Sequence, residues 1–174
     1  ELRGLGLSGT SVKDLEPLCQ ITTLQWLDLT RTKVESIASL EGLIALRQID
    51  LNETPVSDVA PLRKLSYLRF LDLTRTKVID IKPLRDLRTL KWLDLTGTAI
   101  SGVEPLSELT ALDYLDLRDT NVTDLEPLGK LTALRQLILR AGKVADLQHL
   151  SDLNKLQRLD LKSTAVADVT PLAK

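Results

Sequence analysis

Cysteine, histidine and methionine are almost missing from this chain of 174 residues. Cys19 is the only cysteine, which excludes an internal disulfide framework. His149 is the only histidine, so the chain has no cluster of imidazole ligands for a metal. It also has no phosphate-binding loop and no G-x-S-x-G motif. These absences predict a chain that has no catalytic site and no cofactor of its own.

An excess of one charge is also missing, because 23 Lys and Arg residues nearly balance 24 Asp and Glu residues. The net charge of −1 gives no general attraction to nucleic acid or to an anionic membrane. No apolar run approaches the roughly 20 residues that span a bilayer, and there is no signal peptide. We therefore expect no nucleic-acid partner and no membrane insertion.

What is present is one motif, repeated every 22 residues, that reads L-x-L-x-x-T-x-V-x-D-L-x-P-L-x-x-L-x-x-L. Its first position is filled by Leu5, Leu27, Ile49, Leu71, Leu93, Leu115, Leu137 and Leu159. A unit this short cannot bury its own apolar face, so successive copies must stack into a solenoid. We expect one domain over residues 1–174 with about eight repeats.

Each repeat contains the signals of one strand and one short helical turn. In the stretch from Trp26 to Thr30, Leu27 and Leu29 alternate with polar or exposed positions, as in a half-buried strand. Proline followed by leucine recurs later in the repeat, where a proline suits the first turn of a helix. An aspartate three residues before most of these prolines can accept backbone N–H bonds. The fold class is therefore α/β, with a parallel sheet on a concave face and short helical or 3₁₀ segments on a convex face.

The repeat resembles the leucine-rich repeat family, and its 22-residue length and D-L-x-P-L element resemble the bacterial internalin-like class. The resemblance covers essentially the whole chain and implies a right-handed, curved solenoid that mediates protein–protein contacts, in internalins with surface proteins of another cell. The chain departs from the family at its asparagine ladder, where threonine stands in seven repeats and Gly142 in the eighth. A threonine hydroxyl can do part of the asparagine's work of bonding neighbouring coils.

The position before the leading leucine gathers four of the five aromatic residues of the chain, Trp26, Phe70, Trp92 and Tyr114. Exposed aromatic side chains of this kind are preferred anchors of protein interfaces. The alternative is that the rings only stack on one another and stabilise the sheet. We favour a binding stripe.

The next outward column is acidic and includes Asp72, Asp94 and Asp116, and the third column becomes basic at Arg118 and Arg140. Repulsion within the acidic column would be relieved by a basic partner, although aspartate at this position is also common in the family that the chain resembles. Both arginines can reach Asp116. A calcium site is a weaker interpretation, since neighbouring strands supply too few oxygen ligands.

These columns predict a non-enzymatic module that binds a protein or a peptide on its concave face. Two alternatives stay open: recognition of carbohydrate at a cell surface, and a structural spacer or oligomerisation element. The chain begins in mid-repeat at Glu1 and has no polar capping segments. We therefore expect it to be a fragment of a longer protein, or to associate end to end.

Overall fold

The computed structural model describes residues 1–173 as a stack of eight coils, each with one short parallel strand. The strands form one eight-stranded sheet in sequence order. They are β1 Gly4–Gly6, β2 Trp26–Asp28, β3 Gln48–Asp50, β4 Phe70–Asp72, β5 Trp92–Asp94, β6 Tyr114–Asp116, β7 Gln136–Ile138 and β8 Arg158–Asp160. Every strand pairs with the next at a register of 22 residues, so each repeat position becomes a column across the sheet.

A 3₁₀ helix lies on the opposite side of each coil. These segments are Glu16–Leu18, Ala38–Leu40, Ala60–Lys64, Lys82–Leu84, Glu104–Glu108, Glu126–Lys130, Gln148–Leu150 and Thr170–Leu172. Because strands stack about 4.8 Å apart and the helical sides are bulkier, the sheet lines the concave side of a curved, right-handed solenoid. The predicted fold class is confirmed.

Two aspartate turns frame most coils. The carboxylate before the 3₁₀ helix accepts the N–H of the residue two positions on, as in the bond from Glu126 N to Asp124 Oδ1 of 2.8 Å. The aspartate that ends a strand does the same, as in the bond from Thr74 N to Asp72 Oδ1 of 2.8 Å. Both turns use a short carboxylate to replace a missing backbone acceptor.

The threonine column works differently from the expected ladder. Thr76 Oγ1 donates to the carbonyl of Leu73 in its own coil at 2.7 Å, and Thr32 and Thr98 make the equivalent bonds. The hydroxyl therefore closes the turn after its own strand and does not join neighbouring coils. One hydroxyl can reach the carbonyl three residues back but is too short to bridge two coils as well.

The core is a single leucine-rich cluster that runs the length of the stack. Leu27, Leu29 and their equivalents in the next five coils are buried, as the alternating pattern predicts. In the first and last coils the corresponding leucines are only half-buried. Among residues 1–173, no helix is long and apolar enough to cross a membrane.

Candidate functional site

A small irregularity at the start of each strand pushes two consecutive side chains outward. The N–H groups of Arg69 and Phe70 both donate to the carbonyl of Arg47, at 2.8 and 3.1 Å, and the same pattern recurs at the starts of β2 to β8. Two residues opposite one is the signature of a β-bulge. The residue before each strand is therefore displayed beside the first residue of the strand.

Phe70, Trp92 and Tyr114 form a continuous stack, which we call the aromatic stripe. The ring centroids of Phe70 and Trp92 are 4.0 Å apart with planes at 10°, and those of Trp92 and Tyr114 are 4.9 Å apart with planes at 5°. Both faces of Trp92 are therefore covered by its neighbours. Each ring is half-buried and presents its edge to the concave face.

Trp26 lies outside the aromatic stripe, since Gln48 stands between it and Phe70 in the column. It packs toward β1, which carries two glycines. A Cβ atom on Gly4 would lie 3.0 Å from Cε3 of Trp26, and one on Gly6 would lie 3.2 Å from its Cη2. The indole thus covers a strand that has no side chains of its own on this face, in the manner of an aromatic ring that rescues an edge glycine.

The acidic column is more buried than its outward direction predicts. Asp72 is 9% exposed, Asp94 is 7% exposed and Asp116 is fully buried. The pKa of Asp72 is raised to about 6, first by burial and then by the nearby carboxylates of Asp50 and Asp94, while hydrogen bonds from Thr74 oppose the rise. Burial also raises the pKa of Asp94. Among the described residues, neither Asp72 nor Asp94 has a salt-bridge partner.

Asp116 differs because it is neutralised within its own coil. Its Oδ2 accepts from Nη2 of Arg118 at 2.8 Å and from the hydroxyl of Tyr114 at 3.0 Å. Burial, followed by the charge of Asp116, raises the pKa of the Tyr114 phenol, so the hydroxyl stays a donor. The aromatic stripe and the acidic column are joined at this point.

Arg140 does not pair with Asp116, contrary to the sequence expectation. Its Nη2 donates to Asp160 Oδ2 in the next coil. The reason is that Arg118 already occupies Asp116, while the end of β7 carries Ile138 and offers no carboxylate. The bond from Arg140 lowers the pKa of Asp160.

Among solved structures, this fold is similar to that of bacterial internalins. Internalin C2 from Listeria monocytogenes has a TM-score of 0.96 and 31% sequence identity, over 98% of this chain and 76% of that chain. This chain belongs to the internalin-like class of leucine-rich repeat proteins. A second Listeria internalin has a TM-score of 0.84 and 27% identity, over 98% of this chain and 57% of that chain.

The fold is shared more widely than the internalins. The ectodomain of a plant receptor kinase from Arabidopsis thaliana, solved in complex with Casparian strip integrity factor 2, has a TM-score of 0.82 at 20% identity. The match covers 94% of this internalin-like chain and 21% of the receptor chain, and it shows the fold alone. No protein-family model and no curated protein sequence matches the chain. The internalin neighbours show that this chain is a protein-binding module in the general sense of leucine-rich repeat proteins.

The internalin-like surface also has a basic column that the sequence reasoning missed. Arg47, Arg69 and Lys91 directly precede β3, β4 and β5 and are exposed. None of the three forms a salt bridge among the described residues. If side chains alternated strictly, the residue directly before each strand would face the core. The repeated bulge turns that residue outward instead. The 22-residue spacing also holds for the position one residue before the aromatic column, and the basic column could have been found there.

Metal ligands do not come together on this internalin-like scaffold. In residues 1–173 no group of three His, Cys, Asp or Glu side chains is arranged to hold an ion. The aspartates of the acidic column are committed to backbone N–H groups at the ends of their strands. The described side chains of the concave face offer ion pairing, hydrogen bonding and apolar contact.

Proposed function

We propose that this internalin-like chain is a non-enzymatic module that captures a protein partner on its concave face. The aromatic stripe carries the proposal: three stacked rings occupy consecutive strands and expose their edges. Ring edges carry partial positive charge and suit the faces of aromatic side chains, carbonyl oxygens and aliphatic groups. Such groups are abundant on proteins, and a rigid aromatic cluster loses little entropy on binding.

Opposite charges border the aromatic stripe on its two sides. Arg69 and Lys91 lie before Phe70 and Trp92, while Asp72 and Asp94 lie two residues after them. This order of basic, aromatic and acidic columns fits a partner whose apolar contact is flanked by acidic groups on one side and by basic groups on the other. Asp72 and Asp94 supply the strongest reason for a basic flank, because their charges are buried without a cation.

The remaining predicted contact residues extend the same surface toward the C-terminal coils. Asp116, Arg118 and Arg140 continue the face beyond Tyr114, in a band where ion pairs are already formed. Trp26 contributes an exposed indole edge at the other end, separated from the aromatic stripe by one coil. In this proposal Phe70, Trp92 and Tyr114 are the anchors, and the charged residues set the orientation.

The stacking weighs against carbohydrate as the ligand. Sugars bind aromatic side chains by lying flat on a ring face, and both faces of Trp92 are occupied. A purely structural spacer would need no aromatic edges on the concave side. End-to-end association of copies is a separate prediction, which sedimentation of the chain at increasing concentration tests.

The test compares two triple variants as baits for surface proteins of candidate partner cells, with captured proteins identified by mass spectrometry. The first is Phe70→Ala/Trp92→Ala/Tyr114→Ala. The control removes three apolar side chains that lie outside the strands and are each more than half exposed, in Ile44→Ala/Tyr67→Ala/Ile79→Ala. We expect a partner retained by the wild type and by the control and lost by the stripe variant. Equal capture by all three folded baits would contradict the proposal.

A further inference from the structure

A polar depression of about 240 Å³ lies on the concave face where β6, β7 and β8 end, bordered by Tyr114 at the end of the aromatic stripe. The rest of its lining is Asp116, Arg118, Ile138, Arg140, Arg158 and Asp160. Three guanidinium groups therefore face two carboxylates. The depression carries one more positive charge than its own residues neutralise.

The hydrogen bonds show which donor groups of the depression have no acceptor. Arg118 is bonded to Asp116 through both Nε and Nη2, and Arg140 reaches Asp160 through Nη2 alone. Nε of Arg140 is a buried donor with no partner among residues 1–173. Arg158 is exposed and forms no salt bridge within the same residues.

Ile138 explains the imbalance. An aspartate ends six of the other seven strands: Asp28, Asp50, Asp72, Asp94, Asp116 and Asp160. Each of these carboxylates accepts the N–H of the residue two positions on. At the equivalent place in β7 an apolar side chain stands, and the N–H of Arg140 has no acceptor among the described residues.

We infer that this depression binds a carboxylate of the protein partner, which takes the place of the carboxylate that Ile138 does not provide. The ligand oxygens would accept from the N–H and Nε of Arg140 and would neutralise Arg158. Whether that carboxylate meets the aromatic-stripe partner rests on the proposed function, but the subsite itself does not. A carboxylate fits better than a phosphate, because Asp116 and Asp160 repel a second negative charge.

Titration of the free chain with sodium acetate tests the subsite directly. Chemical shifts of the Arg140 backbone N–H and of the arginine Nε–H groups are followed by NMR at neutral pH, with sodium chloride keeping the ionic strength constant. We expect saturable shifts in the wild type that chloride alone does not produce. Acetylated, amidated aspartate and acetylglycine then distinguish a side-chain carboxylate from a chain terminus by their relative affinities.

Ile138→Asp is the decisive variant, because it supplies the missing carboxylate from within. Aspartate is accommodated at this position in the neighbouring strands, and we expect acetate affinity to fall by at least about tenfold. Thr132→Asp adds the same charge at an exposed turn outside the sheet and should retain the wild-type affinity. Unchanged acetate binding in Ile138→Asp, or tighter binding of phosphate than of acetate, would overturn the inference.

The two proposals fail separately. The variant Phe70→Ala/Trp92→Ala, which keeps Tyr114 at the edge of the depression, should still bind acetate, because neither Phe70 nor Trp92 lines the depression. Loss of acetate binding in Ile138→Asp with intact partner capture supports the subsite and shows that this partner does not depend on it. Wild-type shifts that match those in chloride overturn the subsite and leave the aromatic stripe untouched.

Discussion

Ala141 has a backbone φ of 55°, in the left-handed region that disfavours a residue with a Cβ atom. The equivalent residue after every strand has a φ between 52° and 70°, yet only Gly9 and Gly97 are glycines. Replacing Ala141 by glycine should therefore stabilise the protein by about 1 kcal/mol, since the relief of strain exceeds the entropy that glycine adds to the unfolded chain.

Urea unfolding of Ala141→Gly measures this gain. Ala145→Gly, at an exposed position of the same coil without a positive φ, is the matched control and should lose about 0.5–1 kcal/mol. A loss of stability in both variants would show that the turn at Ala141 is not strained.

Asp72 should make the protein less stable as the pH rises from about 4 to about 6. Its folded-state pKa is raised to about 6, whereas an unfolded aspartate has a pKa of about 3.9. Between these values the folded state holds a proton that the unfolded state has released, so stability falls with increasing pH. The fall attributable to Asp72 is about 1–3 kcal/mol.

Asp72→Asn keeps an oxygen acceptor for the N–H of Thr74 and removes the charge. We expect its free energy of unfolding, relative to wild type, to increase as the pH rises from about 4 to about 7. Asp86→Asn, at an exposed aspartate, is the control and should follow the wild-type curve. Parallel curves for wild type and Asp72→Asn would refute the buried, uncompensated charge.

For individual residues, the sequence predicted the position and role of a side chain best where that role depends only on the residue's own coil. The aromatic column, the inward leucines and the aspartates before the prolines were all predictable, because a strict 22-residue period fixes their columns. The pairing of Arg140 was not predictable, because two carboxylates lay within reach and the choice depended on Arg118. The burial of Asp72 and Asp94 depends on neighbouring side chains in the same way.

Strand β1 is held partly by a residue of the next strand. Trp26 lies over Gly4 and Gly6, so Trp26→Ala should expose the β1–β2 hydrogen bonds. We expect the amides of Leu7 and Gly9, which donate to Asp28 and Thr30, to exchange about tenfold faster or more.

Hydrogen exchange with residue resolution measures this effect, and Trp92→Ala provides the matched control. The control should accelerate exchange near β5, for example at Leu95, and leave β1 at its wild-type rate. If the β1 amides of Trp26→Ala exchanged at the wild-type rate, the indole would not stabilise β1.

The elements themselves were predictable, and their exact connections less so. The alternation of apolar residues predicted the strands, and the proline positions predicted six of the eight 3₁₀ helices. The bulge before each strand leaves no signal in hydrophobic periodicity, because it depends on two N–H groups sharing one carbonyl. That is why the column of Arg47, Arg69 and Lys91 was missed. The threonine turn was misassigned for a related reason, since a hydroxyl's partner cannot be read from its position.

Across the whole molecule, the concave face is divided into two halves. Over β3 to β5 in the described part of the chain, exposed cations without a salt bridge precede the strands, and buried carboxylates without a salt bridge end β4 and β5. Over β6 to β8, the arginines of the third column cover the carboxylates, and the depression at Ile138 leaves one positive charge over. The aromatic stripe spans the boundary between the halves. A partner bound across it would meet a fixed order of charges, which favours one orientation over its reverse.

The affinity of the captured partner for three purified proteins tests the central claim most directly. Surface plasmon resonance compares wild type, the stripe variant Phe70→Ala/Trp92→Ala/Tyr114→Ala and the off-face variant Ile44→Ala/Tyr67→Ala/Ile79→Ala. Three clustered aromatic anchors predict a loss of about a hundredfold or more in the stripe variant and a change of less than about threefold in the off-face variant. Wild-type affinity in a folded stripe variant would contradict binding through the aromatic stripe.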